Sequence, residues 1–222
     1  LRVEVVKDLN RAEALSGVVV VFDVFRASNT IISLLSEGAL RVYLFSSLEK
    51  AREYKEKNAD HLLLGERDGL TPPGFEGGNS PVLAKAMNLA GRKVILTTSA
   101  GTQAIHRLQK ASAVFFGSFA NASVLARHID SLRPDVVHLL PMGLNAKTPA
   151  VEDDEAAMWL SCLLKGEKSD FAEVRPKLLN CDGARRLRSL GQDDDLDFCT
   201  SPDTHDLIAQ VHMADPPWAS AL

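Results

Sequence analysis

Residues 18 to 32 read VVVVFDVFRASNTII: a five-residue apolar run stops at Asp23, and Arg26 follows three positions later. Charges this close to a buried run need partners, because an unpaired buried charge is costly. The plain reading pairs Asp23 with Arg26. The functional reading separates them. Arg26 then grips a phosphate or carboxylate, which its planar fork fits, and Asp23 serves a metal ion or a proton. Ser28 lies where a helix cap or an anion ligand would stand.

Other stretches carry similar chemistry. GERDGLTPPGFEGGNSP (residues 65–81) is rich in Gly and Pro yet holds Glu66, Arg67 and Asp68, more than a turn requires. Asn79 and Ser80 precede Pro81 as a helix start would, and both are candidates for contacting an anion. TTSAGT (97–102) offers Thr98, Gly101 and Thr102, and GSFANAS (117–123) offers Gly117, Ser118 and Asn121, in small-residue turns whose amides can close on oxyanions. VEDDEA (151–156) puts Glu152 and Asp153 at a helix start, where carboxylates favour the helix dipole. Carboxylates gathered around a phosphate site call for a hard cation such as Mg²⁺.

Other chemistries lack their signatures. There is no G-x-S-x-G elbow, no G-x-G-x-x-G after the first strand, and no Cys/His cluster with zinc spacing. GLNAKT (143–148) echoes a P-loop, but Pro141 and Ala146 occupy the glycine positions.

The elements that must position these residues alternate in type. Apolar β-branched runs at Val3–Val6, Val18–Phe22, Arg41–Phe45, His61–Leu64, Lys93–Thr97, Ala113–Phe116 and Val136–Leu140 read as strands. Segments of helical period fall at Thr30–Ser36, Ser47–Lys57, Pro81–Leu89, Thr102–Leu108, Ala122–Leu132 and Glu152–Leu164. The alternation predicts a three-layer α/β/α fold with a mostly parallel or mixed sheet. Four strands end in small or polar residues before a helix, and in such sheets the carboxyl ends line one ligand crevice. Past Gly166 the pattern weakens. GEKSD reads as a linker, Ala184–Leu190 as a short basic helix, Asp193–Asp197 as an acidic loop, His205–His212 as helix or strand, and ADPPWASAL as a loose tail. One domain over 1–222 is expected, with 1–165 and 166–222 as possible lobes.

With 222 residues, 45% hydrophobic, the chain can bury a full core, and a net charge of −4 points to neither nucleic acid nor a membrane surface. No stretch reaches the length of a spanning helix, and LRVEVVKDLN has no signal-peptide core. Cys162, Cys181 and Cys199 form no C-x-x-C pair, consistent with free thiols in a reducing compartment. A cytoplasmic enzyme, reasonably a homodimer, is expected.

The ordered motifs Asp23-Val-Phe-Arg26-Ala-Ser28-Asn-Thr30, Gly65-Glu66-Arg67-Asp-Gly69, Gly74-Phe75-Glu-Gly77-Gly-Asn79-Ser80-Pro81, Thr97-Thr98-Ser-Ala-Gly101-Thr102 and Gly117-Ser118-Phe119-Ala-Asn121-Ala122 resemble the 2-phosphosulfolactate phosphatase family of coenzyme M biosynthesis. Glu152-Asp153 and Asp195-Leu-Asp197-Phe-Cys199 extend the likeness over nearly the whole chain. The resemblance implies an α/β/α, Mg²⁺-dependent phosphatase acting on a small anionic phosphoester, 2-phosphosulfolactate in the named case. On that pattern Asp23, Glu66 and Asp153, with Glu152, would hold Mg²⁺. Arg26, the amides near Gly101, Thr102 and Ser118, and Asn121 would hold the phosphoryl group, and Arg67 would grip a second anionic group. The chain departs from the family pattern at Ala100, where Asn is usual, at Pro141-Met142, where a small pair is usual, and at bulky Met158 and Trp159. Two alternatives follow from the departures: a non-catalytic phospho- or sulfo-acid binding protein, or a phosphatase for a different small phosphoacid.

Overall fold

The computed structural model describes residues 1–222. Nine strands form one mixed sheet: β1 (Arg2–Val5), β2 (Gly17–Phe22), β3 (Arg41–Phe45), β4 (Leu62–Gly65), β5 (Lys93–Thr97), β6 (Ala111–Gly117), β7 (Val136–Pro141), β8 (Ala209–His212) and β9 (Trp218–Ala221). Their order is β1-β7-β2-β6-β8-β9-β3-β5-β4. β1, β7, β2 and β6 pair in parallel, as do β3, β5 and β4. The β8–β9 hairpin joins the two sets through antiparallel pairings.

Alternation along β2 sorts its side chains between two cores, as a period of two dictates. Val19 and Val21 face a cluster with α1 (Ala27–Ser36), α3 (Pro81–Ala86) and α4 (Gly101–Ile105). Val18, Val20 and Phe22 face the opposite layer, built from α5 (Ala122–Leu132), α6 (Val151–Lys165) and α7 (Phe171–Asn180). β3 alternates likewise: Val42 and Leu44 join the first cluster, while Tyr43 and Phe45 pack with Ala51 of α2 (Leu48–Lys57). The result is the expected three-layer α/β arrangement.

Residues 27 to 35 of α1 are all buried, so this helix lies inside the molecule rather than on it. β2 and β5 stand third and eighth in the strand order, yet the Gly101 amide after β5 donates to the Asp23 carboxylate after β2 at 2.5 Å. The sheet therefore curls around α1, and the ends of distant strands meet over its N-terminus.

The region after Gly166 differs most from the sequence-based expectation. Phe171–Asn180 is helical, a segment the periodicity did not single out. The acidic run expected as a loop is helix α9 (Asp193–Cys199), whose first-turn carboxylates suit the dipole. The tail expected to be loose contains β9, paired on both sides within the sheet. Trp218 stacks on His212 with centroids 3.8 Å apart, and the Arg41 guanidinium covers its ring at 4.2 Å. These cross-strand contacts supply what a strand of small residues lacks by itself. The basic segment forms α8 (Asp182–Ser189). No helix is long and apolar enough to cross a membrane.

Candidate active site

Asp23 closes β2, and its carboxylate sits where the N-terminal ends of α1 and α4 converge. Its Oδ1 accepts from the Ala27 amide at 3.4 Å and its Oδ2 from the Gly101 amide at 2.5 Å. Position 101 must be glycine: an added Cβ would lie 2.8 Å from Asp23 Oδ2 and 2.9 Å from Ala27 Cβ. Asp153, in the first turn of α6, takes the Val24 amide at 2.7 Å and the Gly143 amide at 2.8 Å, bracing the loops after β2 and β7. Glu66 follows β4 and takes the Ser99 amide at 2.6 Å and the Gly69 amide at 2.9 Å. Glu152 receives the Cys181 thiol at 3.3 Å, and a Cβ at Gly183 would stand 2.9 Å from its carboxyl carbon, so α8 docks closely against it.

These four carboxylates line one cavity of about 300 Å³, together with Arg26, Asn79, Ser99 and Ala100. All four are buried, and none forms an ion pair. The electrostatic consequence is large. Burial pushes the Asp23 carboxyl up from 3.8 to about 7, with the Glu66 charge adding to it and the Gly101 and Ala27 amides opposing it. Burial, then the charges of Asp23 and Glu152, hold Asp153 well above the usual carboxylate range. Glu152 is raised as well, chiefly by burial. A larger neighbouring cavity of about 530 Å³ shares Ser99 and Gly143 but contains none of the four carboxylates. The buried carboxylates are gathered in the smaller one.

Arg26 is buried and paired, but not with Asp23. Its Nη1 donates to Asp195 Oδ2 at 2.7 Å and its Nη2 to the Gly69 carbonyl at 3.2 Å. Asp195 also takes the Ser80 hydroxyl at 2.5 Å. Ser80 caps α3 through the Leu83 amide, so its contacts are structural. Asn79 lies on the cavity wall with its amide oxygen buried and without a partner.

The remaining sequence candidates are placed elsewhere. Ser118 and Asn121, expected to act on the substrate, do not line the cavity. Ser118 Oγ donates to Asn29 at 2.7 Å, and Asn121 accepts the Ser118 amide at 3.0 Å, so both groups are consumed in a cap. Gly117 allows β6 to approach β2, since a Cβ there would meet Phe22 at 2.7 Å. Thr98 and Thr102 bond each other across the first turn of α4, and Ser28 accepts the Asp23 amide at 2.9 Å. The Gly101 amide serves Asp23 rather than an external anion. Arg67, expected to grip the substrate, is spent on the Glu66 and Ser46 carbonyls and on Thr97. Conversely, Ser99, Asp182 and Arg186 line the cavity without having been singled out. Only the basic character of residues 184–190 hinted at Arg186.

The donor set suits a hard divalent cation in kind: four buried carboxyl groups, none in an ion pair with a lysine or arginine. No three His, Cys, Asp or Glu side chains stand grouped as a ready-made metal cage. Mg²⁺ does not need one, because it commonly binds through one or two carboxylates, waters and the substrate's own phosphate.

The curled three-layer α/β sheet thus brings carboxylates from the ends of β2 and β4 and from the first turn of α6 into one cavity, at the strand ends where ligands of such sheets bind. The chain matches the 2-phosphosulpholactate phosphatase family over residues 4–213. It belongs to that family. A Carboxydothermus hydrogenoformans protein named probable 2-phosphosulfolactate phosphatase is 33% identical over 211 residues, 89% of this chain and 87% of that protein. One of the same name from Deinococcus radiodurans is 33% identical over 238 residues, 100% of this chain and 97% of its own. A third, from Thermoplasma acidophilum, is 30% identical over 203 residues, 91% and 90% respectively.

Proposed function

We propose that the protein is a Mg²⁺-dependent phosphatase that hydrolyses 2-phosphosulfolactate to sulfolactate and phosphate. Family membership and the names of its relatives support the reaction. The observation that carries the cation is the set of four buried, unpaired carboxylates in one cavity. Asp23 and Asp153, with Glu66 and Glu152 beside them, would hold Mg²⁺. When bound, the ion would supply charge stabilisation to the phosphoryl oxygens and help orient the attacking group.

The chain's own groups do the rest. Asp195 and the Gly69 carbonyl fix the Arg26 fork, leaving its other N–H groups for a phosphoryl oxygen. Asn79, turned so that its amide nitrogen faces the cavity, adds a second donor. The Gly69 and Ser99 amides hold Glu66, and the Val24 and Gly143 amides hold Asp153, so neither carboxylate must reorganise on binding. Water attacks phosphorus, directly or by hydrolysing an acyl phosphate formed first on a protein carboxylate. The P–O bond to the lactate oxygen breaks; one proton of the water ends on that oxygen as the sulfolactate hydroxyl, and its oxygen with the other proton ends in phosphate.

A phosphate-release assay over a panel of small phosphoacids, with and without EDTA, tests the reading. Release from 2-phosphosulfolactate that EDTA abolishes and Mg²⁺ restores is expected; metal-independent release would remove the cation from the scheme. Ala100 on the cavity wall keeps a second reading open, hydrolysis of a different phosphoacid, which the same panel would reveal.

A further inference from the structure

We infer that Arg186 anchors a second acid group of the substrate, making α8 the specificity element of the cavity. The inference rests on the phosphatase reading above for the identity of the ligand.

Charge balance is the starting point. The cavity is lined by five acidic side chains, Asp23, Glu66, Glu152, Asp153 and Asp182, and by only two cations, Arg26 and Arg186. Arg26 is locked to Asp195 at 2.7 Å. Arg186 has no comparable partner: its nearest carboxylate oxygen, on Asp68, is 4.0 Å away, and the Asp68 side chain is 89% exposed. A pair that long and that wet contributes little. For a ligand bearing a phosphate and further acid groups, the cavity thus offers one committed arginine and one free one.

The helix then explains why this arginine is free. α8 carries three arginines in four positions. Arg185 turns back to Asp182 and the Asn180 carbonyl, and Arg188 donates to the Leu179 carbonyl at 2.7 Å. Ala184 and Leu187 pack the helix against Cys181 and Leu196. Of the three arginines, only Arg186 lines the cavity. A Cβ at Gly69 would lie 3.9 Å from its Nη2, so the fork stands over the loop whose Gly69 amide holds Glu66. Arg67, the other arginine of that neighbourhood, is bound into the scaffold. A guanidinium is suited to a carboxylate or a sulfonate, planar or tripod oxygen groups that it can meet with two N–H donors. 2-Phosphosulfolactate carries both groups beside its phosphoester, and sulfolactate keeps both after the phosphate leaves.

The experiment uses the full chain in Mg²⁺ and two readouts. Calorimetric titration with sulfolactate should show binding that Arg186→Gln weakens about 10- to 100-fold, the range for losing a charge-assisted hydrogen bond. Arg186→Lys, which keeps the charge and loses the fork, should recover part of that loss. In steady-state hydrolysis of 2-phosphosulfolactate, Arg186→Gln should raise KM by a similar factor and lower kcat far less. Arg188→Gln removes the same charge from the same helix away from the cavity and should leave both readouts as in wild type. Equal sulfolactate affinity in wild type and Arg186→Gln overturns the assignment, as does a wild-type protein that does not bind sulfolactate. If wild type binds sulfolactate but releases no phosphate, the phosphatase reading fails alone, and the titrations still decide the role of Arg186.

Discussion

β2 and β6 lie side by side, with Phe22 opposite Gly117, and both strands end in small polar residues before a helix. Past β2, Asp23 enters a cavity, and its carboxyl is pushed up to about 7 by burial and by neighbouring carboxylates. Past β6, Ser118 and Asn121 close a capping box, and the Asn121 amide nitrogen reaches the Phe116 and Leu207 carbonyls at 3.3 and 3.2 Å. Asn29 links the two ends, accepting from Ser118 and donating to the Val24 carbonyl at 2.9 Å. The difference lies in what is left over. At β6 every polar group is satisfied within the chain, so the end is scaffold. At β2 the Gly101 and Ala27 amides oppose only part of the burial and charge effects, and the carboxyl holds its proton to about pH 7.

The largest effect should come from Asp23→Asn. On the proposed Mg²⁺ assignment, losing this carboxylate removes transition-state stabilisation worth several kcal/mol, which predicts a fall in kcat of about a thousandfold or more with the fold intact. Phosphate release together with circular dichroism checks it. Near-normal turnover would mean that the β2 end is as structural as the β6 end.

Next comes the pair behind the cavity. Asp195→Ala strips Arg26 of its buried partner and should cost about 3 to 5 kcal/mol of stability, read by urea unfolding. A much smaller cost would indicate that Arg26 is free to turn toward the ligand, as the sequence alone suggested.

The raised Asp23 carboxyl also predicts a pH dependence for the metal-free protein. Unfolded, the Asp23 carboxyl loses its proton near pH 4; folded, it keeps it to about 7. The folded state therefore binds more protons in that window, and this contribution to stability is lost as pH rises through it. Asp153, raised in the same direction, adds to the trend. In EDTA the melting temperature should fall by several degrees between pH 4 and 7.5, and Asp23→Asn or added Mg²⁺ should flatten the slope.

What could be read from the chain follows the range of the forces involved. β3, β5 and α5 coincide residue for residue with the apolar periodicity, because their burial pattern is local. β8 and β9 are four residues each and depend on partners far away in sequence. Asp23 stood out because a charge at the end of an apolar run has few structural uses, and it is buried at the cavity; Glu152 and Asp153 stood out as an acidic helix start. Ser118 and Asn121 were not separable from ligand contacts, since caps and anion sites employ the same residue types. The Arg26–Asp195 pair spans 169 positions, and no local pattern announces it.

Ser118→Ala gives the smallest effect and the sharpest test of the comparison. It removes the hydroxyl that donates to Asn29 and accepts the Ala120 amide, leaving the Asn29 oxygen buried and unpaired. The cost should be about 1 to 3 kcal/mol of stability. The carboxylates after β2 keep their amide partners, so kcat/KM per folded molecule should stay within about threefold, the scale of a positional shift rather than of a lost catalytic group. The two quantities must be measured on the same preparation, unfolding by urea and phosphate release below the transition. Lost stability with retained activity assigns the β6 end to the scaffold. A collapse of activity in a well-folded variant would instead show that Asn29 transmits the state of Ser118 to Val24 and Asp153, and the two strand ends would then form one site.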